Sequence, residues 1–274
     1  MARIIRNESK LARDYEKLEE DYQEKSKKAF AWIKPGLAGL FLGILGVVVS
    51  GNPALLAVGF AVFMICMIGG GTVLGTVDPD YRKNRDVYRA GMNGEKLTES
   101  VLSTLPDSYL IVPNVQLRVQ QRKGEIDHLV LGDNGIFVVE TKNYKGTLSG
   151  DVHDGSLTKD KYSSGGTLST KTVTNPVRQV KRETMMLKDI LAEAGIRKRV
   201  ESLVFFSDLD LDYSVTGFDP NVQVFLAGEA GNEQMLEYIQ RIRKAHLSDW
   251  EKQVILNRLL EPENPGAGIK VACC

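Results

Sequence analysis

Apolar and polar residues follow three different rhythms along this chain, and each predicts a different kind of element. From Asn7 to Phe30, Leu11, Tyr15, Leu18 and Tyr22 recur at spacings of four and three among charged residues, which predicts an amphipathic helix. From Gly36 to Val49 and again from Ala54 to Val77 nearly every position is apolar, and Ser50-Gly51-Asn52-Pro53 between them is a turn signal. The charge-free stretch of 43 residues from Pro35 to Val77 is too long for one membrane-crossing helix of roughly 20 residues and about right for two. Past Asp78 the rhythm changes a third time. Apolar residues at 97, 101, 102 and 105 predict a helix stopped by Pro106. Tyr109–Val115, Glu125–Leu131 and Ile136–Thr141 read as strands, with Gly132-Asp133-Asn134-Gly135 as a hairpin turn. Gln116 to Gly124 reads as a polar, basic connection.

The segment from Asn143 to Lys171, rich in Gly, Ser, Thr and Lys, suggests small hairpins. Thr174-Asn175-Pro176 predicts a helix start, and the helix runs to about Ala194 before Gly195. Val200–Phe206 and Val222–Leu226 read as strands, and helices follow near Glu233–Ala245 and Ser248–Leu260. The fold class is α/β, a mixed sheet flanked by helices and preceded by a two-helix transmembrane hairpin. Six segments result: an amphipathic helix (1–31), a transmembrane hairpin (32–77, with spans near 32–49 and 54–77), a juxtamembrane helix or linker (78–90), a principal α/β domain (91–200), strands and helices that complete it (201–261), and a flexible tail (262–274).

Charge sharpens the picture. The 274 residues carry 35 basic and 35 acidic side chains, which excludes a polybasic protein that grips phosphate over its whole surface. None of these charges lies between Pro35 and Val77. Lys25, Lys27, Lys28 and Lys34 precede the first span and Arg82, Lys83 and Arg85 follow the second, so the positive-inside rule places both flanks in the cytoplasm. Trp32 suits an interfacial anchor, and Gly39, Gly43, Gly46, Gly69, Gly70, Gly71 and Gly75 would let the two helices approach. The competing reading is a helical hairpin buried in a soluble core. A signal peptide is a poor fit, because the charged start is long and the apolar region begins late. The amphipathic face before Trp32 can serve a coiled-coil seam, giving a homo-oligomer with the hairpin, or can pack on its own chain. Cys66, Cys273 and Cys274 imply no disulfide framework, and the terminal pair reads as an unremarkable tail.

The candidate chemistry lies in Glu125-Ile126-Asp127-His128-Leu129-Val130-Leu131 and Ile136-Phe137-Val138-Val139-Glu140-Thr141-Lys142. Glu140 follows four apolar residues in what should be a central strand, where an unpaired charge is costly. Alternation puts Glu140 and Lys142 on one face, and the hairpin brings Asp127 to the same end of the sheet. Two carboxylates and a backbone carbonyl suit Mg²⁺ or Mn²⁺, and such an ion beside a lysine is apparatus for phosphodiester hydrolysis. A structural ion pair at a sheet edge uses the same residues. His128 alternates to the face opposite Asp127, His153 sits at a turn signal, and His246 is placed to meet carbonyls at a helix end.

Asp127 … Glu140-Thr141-Lys142 resembles the D…(D/E)xK signature of restriction-endonuclease-like proteins. With Gly94-Glu95, Asn175-Pro176 and Gln179 in order, the stretch from about Gly91 to Val200 is similar to the nuclease-related domain, NERD. The resemblance implies an α-β-β-β-α-β core, with Asp127 and Glu140 as metal ligands and Lys142 as the catalytic lysine. It further implies Glu95 as an additional acidic ligand or water-positioning group, and Gln179 as an orienting group. Superfamily relatives that only bind are part of what it implies.

Between Gln116 and Arg182 eleven basic residues face seven acidic ones, a local excess that suits a polyanion. Arg118, Arg122, Lys123, Lys145, Lys159 and Lys161 are the candidate phosphate contacts, with a solvated charged face as the plainer reading. The expected activity is a membrane-anchored, Mg²⁺- or Mn²⁺-dependent nuclease. Its partners would be DNA, with RNA as the alternative, and the lipid bilayer. A non-catalytic nucleic-acid-binding or protein-docking module on the same anchor, and an oligomeric membrane scaffold, are the competing classes.

Overall fold

The computed structural model describes residues 1–5, 9–162, 165–243 and 245–260. The expected tail, with Cys273 and Cys274, lies outside the described residues. The chain begins with a two-residue strand, β1 (Arg3–Ile4), followed by helices α1 (Lys10–Ser50), α2 (Ala54–Leu74) and α3 (Tyr81–Ser103). Next come β2 (Leu110–Val119), β3 (Arg122–Gly132), β4 (Gly135–Lys142), β5 (Gly146–Asp151), β6 (Ser156–Tyr162) and β7 (Leu168–Thr174). Helix α4 (Pro176–Glu193), strands β8 (Val200–Phe206), β9 (Leu211–Thr216) and β10 (Val222–Leu226), and helices α5 (Glu229–Arg241) and α6 (Asp249–Leu260) complete it. The chain divides into two units. One comprises residues 11–89, and the other joins residues 1–10 to residues 90–274.

In the 11–89 unit, α1 runs unbroken through Pro35, so amphipathic segment and first apolar run form one helix. Two helices of this unit are long and apolar enough to cross a membrane. They meet through glycines: a Cβ on Gly59 would lie 2.5 Å from the carbonyl oxygen of Gly39, and one on Gly43 would lie 2.8 Å from that of Leu55. Gly46, Gly69 and Gly70 also sit at contacts between helices, whereas Gly71 faces open space. Gly59, unremarked in the sequence reading, marks the tightest approach. The outer faces stay bare, with Val48 and Val49 exposed at 77% and 79%, whereas a hairpin buried in a soluble core would cover them. A Gly59→Leu change is expected to overpack this seam at a cost of about 1–3 kcal/mol. The check is a lower yield of intact, protease-resistant full-length chain. The amphipathic face is used within the unit. Tyr22 stacks on Tyr81 with ring centroids 4.0 Å apart, Tyr81 donates to Glu19 at 2.9 Å, and Arg89 donates to the Tyr15 hydroxyl at 3.1 Å.

In the other unit six strands form a mixed sheet in the order β1-β2-β3-β4-β8-β10. Strands β2, β3 and β4 are an antiparallel meander, while β8 and β10 continue from β4 in parallel. Strand β4 is central and buried on both faces, as its unbroken apolar run requires. Ile136 and Val138 pack towards α4 with Val180, Met186 and Leu187. Phe137 and Val139 pack on the opposite side with Leu102, Leu105, Met235 and Ile239 of α3, its following turn and α5.

Three elements differ from expectation. The segment after Asn143 is a four-stranded sheet, β7-β6-β5-β9, instead of isolated hairpins. The polar connection at 116–124 continues β2 and β3 almost to its tip, leaving a turn at Gln120-Gln121 with Gln120 at φ 55°. The juxtamembrane segment and the first helix of the domain are one helix, α3.

The Gly132–Gly135 turn also holds the C-terminal helices. Asn134 donates to the carbonyls of Ile239 (2.6 Å) and Ile242 (2.7 Å) and accepts from the Tyr109 hydroxyl (2.9 Å). Buried Lys252 reaches Asp133 and the Ser108 carbonyl. Asn134→Ala strands both carbonyls and is expected to cost about 1–3 kcal/mol, seen as a lowered melting temperature.

Candidate active site

Asp127 is placed by a break in the sheet. Pro113 pairs with His128 and Val115 with Ile126, but Asn114 and Asp127, which face each other between them, are skipped. Asn114 has φ 55°. Pairing of β3 with β4 likewise stops at His128–Val139, one step short of Asp127. Instead the Asp127 Oδ2 atom accepts a hydrogen bond from the Thr141 backbone N–H at 2.7 Å. The side chain takes the place of a ladder bond, and the kink aims it at the end of β4.

There it meets Glu140 and Lys142. Glu140 is fully buried, and its Oε1 lies 2.6 Å from the Lys142 Nζ atom, whose side chain is 20% exposed. The expected shared face is therefore observed. A fourth charged group, Glu183 on α4, comes from outside the expected set. It is 1% exposed and lies beside Glu140, with Gln179 one turn earlier on the same helix face. Its signal in the sequence is the spacing of four from Gln179, which puts both on one helix face. Neither Glu140 oxygen receives a well-directed hydrogen bond, and Glu183 Oε2 is also buried without one.

One ammonium cannot neutralise these acids. Burial raises Glu140 to about 8, with Lys142 opposing and Glu183 adding to the rise. Burial raises Glu183 to about 7, with the contact to Glu140 opposing and Asp127 adding to the rise. Burial and then Glu140 hold Asp127 well above the carboxylate range. Burial pulls Lys142 down, but Glu140 and Asp127 outweigh it and keep the amine protonated. The cluster therefore retains protons that belong to it as a group rather than to one carboxyl.

Glu95, on α3, is partly buried, and its Oε2 accepts from Ser9 at 3.3 Å. Burial lifts it to about 7, and Asp127 and Glu125 are the nearest repelling charges. Gly94 explains the close fit of α3 there, since a Cβ would come within 2.7 Å of Ser207 Oγ and 2.9 Å of Asn143 Cβ. On this reverse face Thr141 donates to Thr98 at 3.0 Å, and the His128 Nδ1 atom lies 3.5 Å from Thr141. Buried His128, depressed to about 4 by burial and only partly offset by the Glu95 backbone, lies on this reverse face beside Thr141. Asn175 caps α4 through Val177 N–H and donates to the carbonyls of Val152 and Asp154, so the Asn175-Pro176 motif fixes α4 to the β5–β6 turn.

Among the described residues no three of His, Cys, Asp and Glu converge on one point. The donor chemistry at Asp127 and Glu140 nonetheless fits a hard dication. They are adjacent carboxylates in a region rich in acid, and the Glu140 oxygens lack donors.

The basic candidates separate. Lys159 stands 4.5 Å over the Tyr144 ring and is opposite Lys171 in the β6–β7 pairing, with Lys161 two residues on. Burial and these two lysines lower its pKa. Tyr144 in turn feels Lys142 and Glu140, so this lysine row adjoins the acids. Arg118 and Lys123 are paired across β2 and β3. Arg122 bonds Asp189 at 2.8 Å, and Lys145 is engaged by Asp210. His153 donates its backbone N–H to Asp151 within a turn, and His246 meets the Asp133 carbonyl rather than a helix end.

The order α3-β2-β3-β4-α4-β8, with β5 to β7 inserted before α4, is the α-β-β-β-α-β order that the sequence resemblance implies. Residues 90–207 match the family model of the nuclease-related domain, NERD, so the motif reading and the family comparison agree. Over 62 residues, 22% of this chain, it is 45% identical to an uncharacterized protein of Bacillus anthracis, and the match spans 29% of that protein's length. No solved structure matches the chain.

Proposed function

We propose that this chain is a membrane-anchored, divalent-metal-dependent nuclease that hydrolyses DNA phosphodiester bonds at the cytoplasmic face. The observation that carries the reading is the buried Glu140 carboxylate, without well-directed donors, beside Lys142 and one strand from Asp127. Asp127 and Glu140 would hold Mg²⁺ or Mn²⁺, with Glu95 as a further acidic group near Asp127. When bound, the ion supplies a more acidic water and neutralises charge on the phosphate. Lys142, kept as an ammonium, donates to the phosphate or the attacking water and stabilises developing negative charge. Gln179 orients Glu183, which steadies Glu140. Glu95, partly exposed and near neutrality, receives the proton that the water gives up. The row Lys159, Lys161 and Lys171 positions the strand through its phosphates.

The charged flanks and bare apolar faces support anchoring with both ends of the hairpin in the cytoplasm. Both ends also join the same folded unit, which supports an even number of crossings. Tethering raises the effective concentration against DNA near the bilayer, including DNA entering the cell. The test incubates the detergent-solubilised full chain with DNA and with RNA, with Mg²⁺ or Mn²⁺ and with chelator, beside Asp127→Asn. The expected result is metal-dependent DNA cleavage lost in the variant. Binding without cleavage would leave a non-catalytic module, and cleavage of RNA alone would change the substrate.

A further inference from the structure

A second feature of the same unit lies outside the acid cluster. On the outer face of α4, Arg178, Lys181, Arg182 and Met185 line a cleft of about 450 Å³, together with Arg122 and with His153 of the β5–β6 turn. Val152 and Val177 also line it, and its one carboxylate, Asp219, is bound to Lys181 at 2.5 Å. Arg122 is shared with Asp189, and Arg182 has Glu183 at 3.8 Å. Arg178 is exposed and has no acidic partner among the described residues. The concavity therefore holds more cations than its own acids neutralise.

Its position gives the excess a meaning. Arg178 neighbours Gln179, and Arg182 neighbours Glu183. Helical geometry turns the first of each pair outward and the second toward β4. Cleft and acid cluster thus flank one helix, about 10 Å across with its side chains. A DNA strand presents one phosphate roughly every 3.4 Å along the axis, so a strand seated at the acids has its next few phosphates within reach of this cleft.

We infer that the cleft beside α4 is a phosphate-binding groove for nucleic acid flanking the cleaved bond, with Arg178 and Arg182 as its principal contacts. This rests on the nuclease reading of the acid cluster. A nucleic-acid strand fits better than a bilayer surface, because the cations line a hollow with an apolar lining rather than a flat face. Sequence-independent contact is expected, since charge on the backbone is all that the groove addresses.

The test uses the full chain in detergent carrying Lys142→Met, so that DNA is bound but not cut. Binding of a fluorescein-labelled duplex is followed by anisotropy over a range of salt. Adding Arg178→Ser and Arg182→Ser is expected to weaken binding at least about tenfold and to flatten the log–log salt dependence by about two, near one per lost phosphate contact. Lys188→Ser, on the same helix but outside the cleft, should change neither, and unaltered melting temperatures exclude misfolding. Unchanged affinity and slope in the double variant, or an equal loss with Lys188→Ser, would overturn the inference. So would loss of binding to phosphatidylserine vesicles with DNA binding intact. Failure of the nuclease reading is seen separately, as absence of cleavage by the chain with Lys142 in place.

Discussion

Lys142→Met is expected to lower metal-dependent DNA cleavage by about a thousandfold or more, the scale of losing one preorganised charge at a reacting phosphate. DNA affinity should fall little, because Lys142 is at most one phosphate contact beside those of Lys159, Lys161 and Lys171. The fold should also survive. Removing the cation from a buried pair commonly costs about 3–5 kcal/mol when it leaves a bare charge. Here the remaining acids already retain protons near neutrality, with Glu140 at about 8 and Glu183 at about 7, and one more uptake discharges the site. Single-turnover cleavage and anisotropy separate the two effects. Lys142→Arg restores the charge with a bulkier planar head in a site where the amine is 20% exposed, so only partial recovery is expected. Cleavage that persists in Lys142→Met would remove this lysine from the mechanism.

The metal-free protein is expected to lose stability as pH rises from about 5 to about 9, and Mg²⁺ or Mn²⁺ should restore it most at the alkaline end. The direction follows from the carboxyls. Glu140 and Glu183 rise from an ordinary 4.5 to about 8 and about 7, so the folded state keeps protons that the unfolded chain has released. Their contribution is complete below about pH 4.5 and fades through 7 and 8. For Glu183 alone the shift is worth on the order of 3 kcal/mol. A dication takes over the role of the protons, and its affinity therefore grows with pH. Circular-dichroism melts at a series of pH values, with chelator and with metal, make the check. The Glu140→Gln, Glu183→Gln double variant should flatten the metal-free profile. A profile unaffected by either would show that the acids do not titrate as a group.

Much of this was legible in the residues. Val200–Phe206 and Val222–Leu226 are strands with the bounds their apolar runs suggest, because runs of β-branched and aromatic residues bounded by polar ones have sharp compositional edges. Glu140 betrayed itself as an acid inside such a run, and alternation correctly paired it with Lys142. The second sheet was hidden because short strands of Gly, Ser, Thr and Lys, such as Leu168–Thr174, are largely exposed and show little period-two contrast. Pro113-Asn114 was the unused sign of the kink at Asp127, since proline inside a strand marks interrupted pairing. Glu183 looked like any helix-surface acid until α4 was laid against β4. The cations of the cleft were counted in the charge balance, but nothing local grouped Arg122 with Arg178 and Arg182.

Strand β1 has a consequence for how this protein is made. Arg3 and Ile4 pair with Leu110 and Ile111, residues that emerge from the ribosome after both apolar helices. The opening segment must therefore wait, unpaired, until both apolar helices and α3 have been synthesised. Only then can the edge of the sheet close. A chain engineered without Arg3 and Ile4 would leave β2 as an open, aggregation-prone border.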